Sequence, residues 1–149
     1  CFGNARDAAK CLGYAEKDKN FIDGDYSICV DEKHMENVRE RYGFTNLITT
    51  LRKSISASDN GWSGAVCSES GLYQGSGYNL HIVDRVGGGD SFAAGFLHGI
   101  LTHMEPDRAL EFALAAAAIK HTIPGDLNYI SEEEVLTLMN SDGSGRVNR

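Results

Sequence analysis

No apolar run in the sequence approaches the roughly 20 residues needed to span a bilayer, and no basic region followed by a long apolar stretch opens it. The expectation is a soluble, cytoplasmic chain. Basic residues are in deficit: 14 Lys and Arg against 21 Asp and Glu give a net charge of −7. No broad face can then neutralise the phosphates of nucleic acid or of an anionic membrane, which excludes both as partners. A small anion held by a few N–H groups remains allowed. Cysteine is sparse and unpatterned. Cys1, Cys11, Cys29 and Cys67 form no C-x-x-C pair and keep no metal-ligand rhythm with His34, His81, His98, His103 or His121, so they read as reduced, structural thiols. Neither G-x-x-x-x-G-K-[ST] nor G-x-G-x-x-G occurs, and Asp18, Asn20, Asp23 and Asp25 miss the calcium-loop spacing.

What is present is one ordinary domain's worth of chain: 149 residues, 42% apolar and 23% charged, with glycine abundant at 17. Three of those glycines are consecutive, in Asp84-Arg85-Val86-Gly87-Gly88-Gly89-Asp90-Ser91-Phe92-Ala93-Ala94-Gly95-Phe96. Before them Leu80 to Val83 reads as a strand. After them Phe92, Phe96 and Ile100, with Ala93, Leu97 and Leu101 beside them, keep the spacing of a buried helix face. The glycines therefore sit where a helix begins. There the first N–H groups have no intrahelical acceptor and no side chain covers them, which suits an anion such as phosphate. Asp90 falls in the first turn, where the helix dipole favours negative charge. A carboxylate beside a phosphate site is a candidate base, although turn and capping chemistry alone also uses this pattern.

Around this stretch, residues 1–4 look like the end of a strand, followed by a helix over 6–14 and an irregular segment over 16–30. Asp31 caps a helix with Met35, Val38 and Tyr42 on one face, closed by Gly43. Phe44 to Leu51 reads as a buried strand, and Arg52 to Asn60 as a polar run. Trp62 to Cys67 and Gly71 to Gln74 read as a hairpin about a Ser-Glu-Ser-Gly turn. Pro106 opens a helix bearing Leu110, Ala113, Leu114 and Ala117, whose alanine run Ala115 to Ala118 allows close approach to a sheet or ligand. Residues 120–126 break it, and Ser131 with Glu134 forms a capping box for a last helix. Strands alternating with helices predict an α/β fold with a partly parallel sheet, whose ligands gather at the carboxyl ends of strands.

Asp84-Arg85-Val86-Gly87-Gly88-Gly89-Asp90 resembles the D-[TP]-x-[GA]-[GA]-G-D signature of the ribokinase-like, or PfkB, carbohydrate kinases, with Arg85 where most members have Thr or Pro. The resemblance implies that Gly87, Gly88 and Gly89 form the anion hole for the transferred phosphoryl and that Asp90 takes the sugar hydroxyl proton. Asn4-Ala5-Arg6-Asp7 is similar to the family's N-x-x-E, which implies indirect Mg²⁺ binding through Asn4 and Asp7, with Asp7 shortening the reach. Asp84 corresponds to a residue that helps hold a monovalent cation such as K⁺, or else caps the turn. Leu51 to Asn60 lies where the family has its nucleotide loop, so Arg52 and Ser54, with Gly89 and His121, are expected near ATP.

Thr50-Leu51-Arg52, residues 56–62, His121 to Asp126 and Gly145-Arg146-Val147 look like the 2-keto-3-deoxygluconate kinase branch. The resemblance implies the C-terminal part of a ribokinase-like three-layer α/β/α fold with an inserted β-hairpin. Residues 1–140 are then the nucleotide-binding half and 141–149 a Gly/Ser/Arg tail, while the sugar-binding half and lid are absent. The implied reaction is ATP- and Mg²⁺-dependent phosphorylation of 2-keto-3-deoxygluconate, a small sugar acid, to its 6-phosphate. A fructokinase or another sugar kinase, a nucleotide-binding fragment without activity, and a homo-oligomer stay open.

Overall fold

The computed structural model of the chain describes residues 1–3, 11 and 31–141. The sequence-predicted helix over 6–14, apart from Cys11, the segment 16–30, Asn4, Asp7 and the tail from 142 lie outside the described residues. Within them the elements run β1 (Phe2–Gly3), α1 (Glu32–Tyr42), β2 (Leu47–Ser54), β3 (Asp59–Ser68), β4 (Gly71–Gln74), β5 (Tyr78–His81), α2 (Gly88–Leu101), α3 (Pro106–Lys120) and α4 (Glu132–Met139).

One five-stranded sheet organises them around β3. One edge of β3 pairs antiparallel with all of β2, from Ser54 opposite Asn60 to Leu47 opposite Cys67. The other edge is shared: β4 takes residues 65–68 and β5 takes residues 59–62, both antiparallel. Between them the Gly75 N–H still donates to Gly64 O at 2.9 Å, and Leu114 leaves no room for a Cβ at Gly75. Among the described residues only β1 and β2 run parallel, with Phe2 opposite Ile48. The sheet is thus more antiparallel than alternating strands and helices predict, because two consecutive hairpins build it.

Side-chain alternation along the strands sorts the core into two faces. Ile48, Trp62 and Val66 pack with Phe92 and Phe96 of α2 and Leu110, Ala113, Leu114 and Ala117 of α3. Leu47, Ala65 and Cys67 point the other way, against Met35 and Val38 of α1. A third cluster joins Phe112, Ala115 and Ala116 of α3 to Val135 of α4. The result is helix, sheet and helix in layers, with α3 largely buried from Ala109 onward. Helices α2 and α3 touch backbone to backbone: a Cβ at Gly95 would lie 2.9 Å from Ala113 Cα, and one at Gly99 2.7 Å from Ala109 Cβ. The close approach that the alanine-rich helix permits is to α2 as well as to the sheet.

Several boundaries match the sequence chemistry and two shift. Asp31 accepts the His34 N–H and Gly43 closes α1 with φ +68°. Pro106 sits in the first turn of α3, and Ser131 with Glu134 forms the complete capping box of α4. Strand β2 begins and ends three residues later than the apolar run. Phe44 N–H still bonds Arg39 O, and Arg52 to Ser54 pair with β3 even though they look like loop. The hairpin turn beyond them is closed by Ser56, whose Oγ accepts from the N–H groups of Ser58 and Asp59 and donates to Asp59 Oδ2 at 2.7 Å. Strand β5 ends at His81 rather than Val83. Asp59 is the first residue of β3, so Ile82 makes a final bond to Ser58 O and the chain turns away, its next N–H groups going to His121 O.

Candidate active site

At the end of β5 the chain enters a turn that leads directly into α2, and residues from four parts of the sequence gather there. Asp84 ties two of them. Its Oδ1 accepts the Val86 N–H at 3.0 Å and its Oδ2 the Gly125 N–H at 2.8 Å. Those two N–H groups, that of Val86 first, hold the carboxyl below the ordinary aspartate range, with a smaller contribution from the Lys120 charge. The His121 carbonyl accepts from both Val83 and Asp84 N–H groups, at 2.9 and 3.2 Å. Arg85, the departure from the usual small residue, reaches the other way: its Nη2 donates to Ala57 O at 2.9 Å, in the β2–β3 turn.

The three glycines serve three different ends. Gly87 has φ +77°, a left-handed conformation that favours glycine, and a Cβ there would sit 2.9 Å from Asp126 O and 3.1 Å from Lys120 Cε. Gly88 is buried; a Cβ there would lie 2.7 Å from Cε1 and 2.8 Å from Nε2 of His121. Gly89 is exposed, and a Cβ there would meet nothing within 4 Å. No side chain caps α2. The Gly88 N–H is taken by Arg85 O at 3.4 Å, so the end left open is at Gly89, beside the exposed Asp90, where helix polarity favours an anion. A phosphate group fits this opening, since there is space above the backbone at Gly89 and no side chain covers it. Asn128 fixes the first turn, donating from Nδ2 to Ser91 Oγ at 2.9 Å.

Underneath lies a buried polar layer. His121 is 5% exposed, with Nδ1 donating to Ala117 O at 2.6 Å and its ring 5.0 Å from that of Trp62. Burial first, then nearby positive charge, depresses its pKa below the ordinary histidine value, so the neutral ring carries Nδ1–H and leaves Nε2 as an acceptor. Lys120 is fully buried, and its Nζ donates to Gly125 O at 2.7 Å and Ile123 O at 3.2 Å. Trp62 meets Phe92 edge to face at 6.1 Å, and its Nε1 and Asn60 Oδ1 are buried without a partner among the described residues.

The sequence-predicted residues separate accordingly. Gly87, Gly88, Gly89, Asp90 and Asp84 share one turn, and His121 lies beneath Gly88 rather than in the mouth. Arg52 and Ser54 stand on β2, not in a loop. By alternation they belong to the face of Ile48, the one covered by α2 and α3, and Arg52 acts electrostatically on His121. Asn4 and Asp7 lie outside the described residues. Among the described residues no three His, Cys, Asp or Glu side chains converge in a way that would hold a metal, and no helix is long and apolar enough to cross a membrane. Lys120, Asn128 and Arg85 were not singled out by sequence reasoning as parts of the site. For Lys120 a signal exists: it lies three and four residues after Ala117 and Ala116, on the buried side of an otherwise apolar helix.

Residues 58–132, half of the chain and the stretch that holds this turn, match the model of the pfkB family carbohydrate kinases. A 2-dehydro-3-deoxygalactonokinase of Haloferax volcanii is 30% identical over 57% of the chain and 27% of its own length. An ATP-dependent ribose-1-phosphate kinase of Halopiger xanaduensis is 42% identical over 44% of the chain and 22% of its own length. The crystal structure of 2-dehydro-3-deoxygluconokinase from Thermotoga maritima superposes with a TM-score of 0.82 at 37% identity, covering 94% of this chain and 40% of that one. The chain thus spans less than half the length of these relatives. With the family model covering half its residues, including the glycine turn, the chain belongs to the pfkB family of carbohydrate kinases.

Proposed function

We propose that this chain supplies the phosphoryl-transfer side of an ATP-dependent sugar-acid kinase acting on 2-keto-3-deoxygluconate at its 6-hydroxyl. The observation that carries the reading is the uncapped N-terminus of α2 at open Gly89, next to exposed Asp90, within the matched family stretch. The similarity to 2-dehydro-3-deoxygluconokinase over 94% of the chain supports the substrate class. In this reading residues 1–140 carry the nucleotide side, and most contacts to the sugar are made by residues outside this sequence.

When bound, Mg-ATP would supply the γ-phosphoryl group and a divalent charge that offsets its negative charge. The chain's own part is positioning and charge stabilisation. The N–H group at Gly89, and that of Gly88 once it leaves Arg85 O, receive the negative charge of the phosphoryl oxygens, in a turn held from behind by His121 and Asp84. Asp90 accepts the proton of the attacking hydroxyl as its oxygen bonds phosphorus and the bond to the leaving bridging oxygen breaks. Arg52 and Ser54 offer further donors on the same face, and Asn4 with Asp7 would orient metal-bound water.

Phosphorylation of 2-keto-3-deoxygluconate, its galactonate epimer, ribose-1-phosphate and fructose by the protein containing this sequence tests the substrate class. Preference for a 2-keto-3-deoxy sugar acid is expected; a preference for ribose-1-phosphate, the substrate named for the Halopiger relative, would replace it. Asp90→Asn should lower turnover by about 10²–10⁴-fold, the usual contribution of a general base, with Mg-ATP affinity kept. Near-normal turnover in that variant removes Asp90 as the base.

A further inference from the structure

Lys120 is the last residue of α3 and fully buried, on a helix whose other buried residues are alanine, leucine and phenylalanine. A buried ammonium is costly unless oxygen ligands and a counter-charge surround it. Here the carbonyl oxygens of Ile123 and Gly125 take it, at 3.2 and 2.7 Å. The same Gly125 donates its N–H to Asp84 Oδ2 at 2.8 Å, so one residue links the ammonium to the carboxylate. The lysine stem passes directly behind the turn, its Cε 3.1 Å from where a Cβ would stand on Gly87. Carbonyl oxygens of a loop beside a carboxylate are what a dissociable monovalent cation would seek at this place. Both Asp84 oxygens already accept N–H groups, and the two carbonyls already serve an ammonium. A second positive charge in the same cage would be repelled. The residues therefore do not fit K⁺.

We propose that Lys120 is the built-in cation of this site. Tethered to the carbonyls of Ile123 and Gly125, it holds the 121–126 loop against Asp84 and Gly87 and keeps a positive charge behind the N-terminus of α2, so that nucleotide binding needs no dissociable monovalent ion. Lys120 is a positioning residue here; only the nucleotide measurement rests on the kinase reading.

Two measurements test it. Crystals of the protein soaked in rubidium chloride should show no anomalous peak at Ile123 O and Gly125 O, whereas Lys120→Ala should show one there, shared with Asp84. In parallel, Mg-ATP affinity of the unsubstituted protein should be the same in potassium and tetramethylammonium chloride at equal ionic strength. K⁺ should tighten Mg-ATP binding by Lys120→Ala roughly 5–150-fold, an ordinary coupling between two ligands. Lys120→Met, which keeps the stem and fills the cage without charge, should bind more weakly in either salt. A rubidium peak at the loop of the unsubstituted protein, or K⁺-dependent nucleotide binding by it, overturns the proposal; so does Lys120→Ala without a peak. Should Lys120→Ala fail to fold, the unsubstituted protein and Lys120→Met still decide. Loss of the kinase reading looks different: no sugar acid is phosphorylated, while the rubidium result stands by itself.

Discussion

The N-termini of α2 and α4 face the same physical problem and answer it in opposite ways. Both begin with N–H groups that lack intrahelical acceptors. At α4 the chain closes the end itself: Ser131 Oγ accepts the Glu134 N–H at 3.3 Å, and Glu134 Oε2 accepts the Ser131 N–H at 2.8 Å. The Ser131 N–H, and after it the Ser131 hydroxyl donating to the same oxygen at 2.9 Å, hold the Glu134 carboxyl below its ordinary range. At α2 no side chain closes the end, Gly89 leaves the space above it open, and the supporting polar residues lie behind the backbone rather than over it. A helix end that closes itself adds stability. One left open and braced from behind is available to a ligand, even at a cost to the fold. The depression along α4, lined from Ser131, Glu132 and Glu133 to Asn140, carries the wrong charge for phosphate.

Substitutions can break or sharpen this contrast. The largest effect is expected for Gly88→Ala, which pushes a methyl group to 2.7 Å from a His121 ring wedged between Ala117 O and Trp62. Overpacking of this kind costs about 1–3 kcal/mol, read as a lower urea midpoint. An unchanged midpoint would show that the bracing behind α2 is soft. Ser131→Ala removes the closure of α4 and should cost about 1 kcal/mol, with no change in nucleotide binding. Any effect on Mg-ATP affinity would link the two ends and undo the contrast.

Gly89→Ala should be neutral or stabilising by up to about 1 kcal/mol, because alanine suits a helix better and meets no protein atom. It should nonetheless abolish the rise in melting temperature that Mg-ATP produces. Retention of that rise would move the phosphate away from Gly89. The smallest effect concerns pH. The folded-state pKa of His121 is depressed, so its share of stability is fully present above the ordinary histidine pKa and is lost as pH falls through and below about 6.5. Unfolding midpoints measured between neutral and mildly acid pH should fall less steeply in His121→Gln than in the unsubstituted chain. Equal slopes would mean that the ring is not buried in its neutral form.

What could be read from the sequence follows how local each signal is. The capping box of α4, Pro106 in the first turn of α3, Gly43 behind α1 and the β3–β4 turn each depend on a few adjacent residues, and each appears where local chemistry puts it. Strand β2 was misread because Arg52, Lys53 and Ser54 look like loop, yet their backbones pair with Asn60 to Trp62. Their register is set by the β3 partner, not by their own polarity. The glycine run was legible as a helix start. The division of labour among Gly87, Gly88 and Gly89 was not, since it depends on Asp126, Lys120 and His121, more than 30 positions away. The same distance hid Lys120, whose carbonyl cage exists only once the 121–126 loop has folded back.

The clasp between Asp84 and Gly125 carries a kinetic consequence. It spans 41 residues, and the Arg85 to Ala57 bond spans 28, whereas α2 and α3, which lie between Asp84 and Gly125 in the chain, are closed by local hydrogen bonds. The chain entropy of closing such loops must be met before either bond forms, so α2 and α3 can form before the turn that leads into α2 is set. The same order runs backwards in the folded protein. The Gly125 amide should exchange with solvent through a local opening of the clasp, at a lower free energy than the amides of α3 only a few residues earlier in the chain.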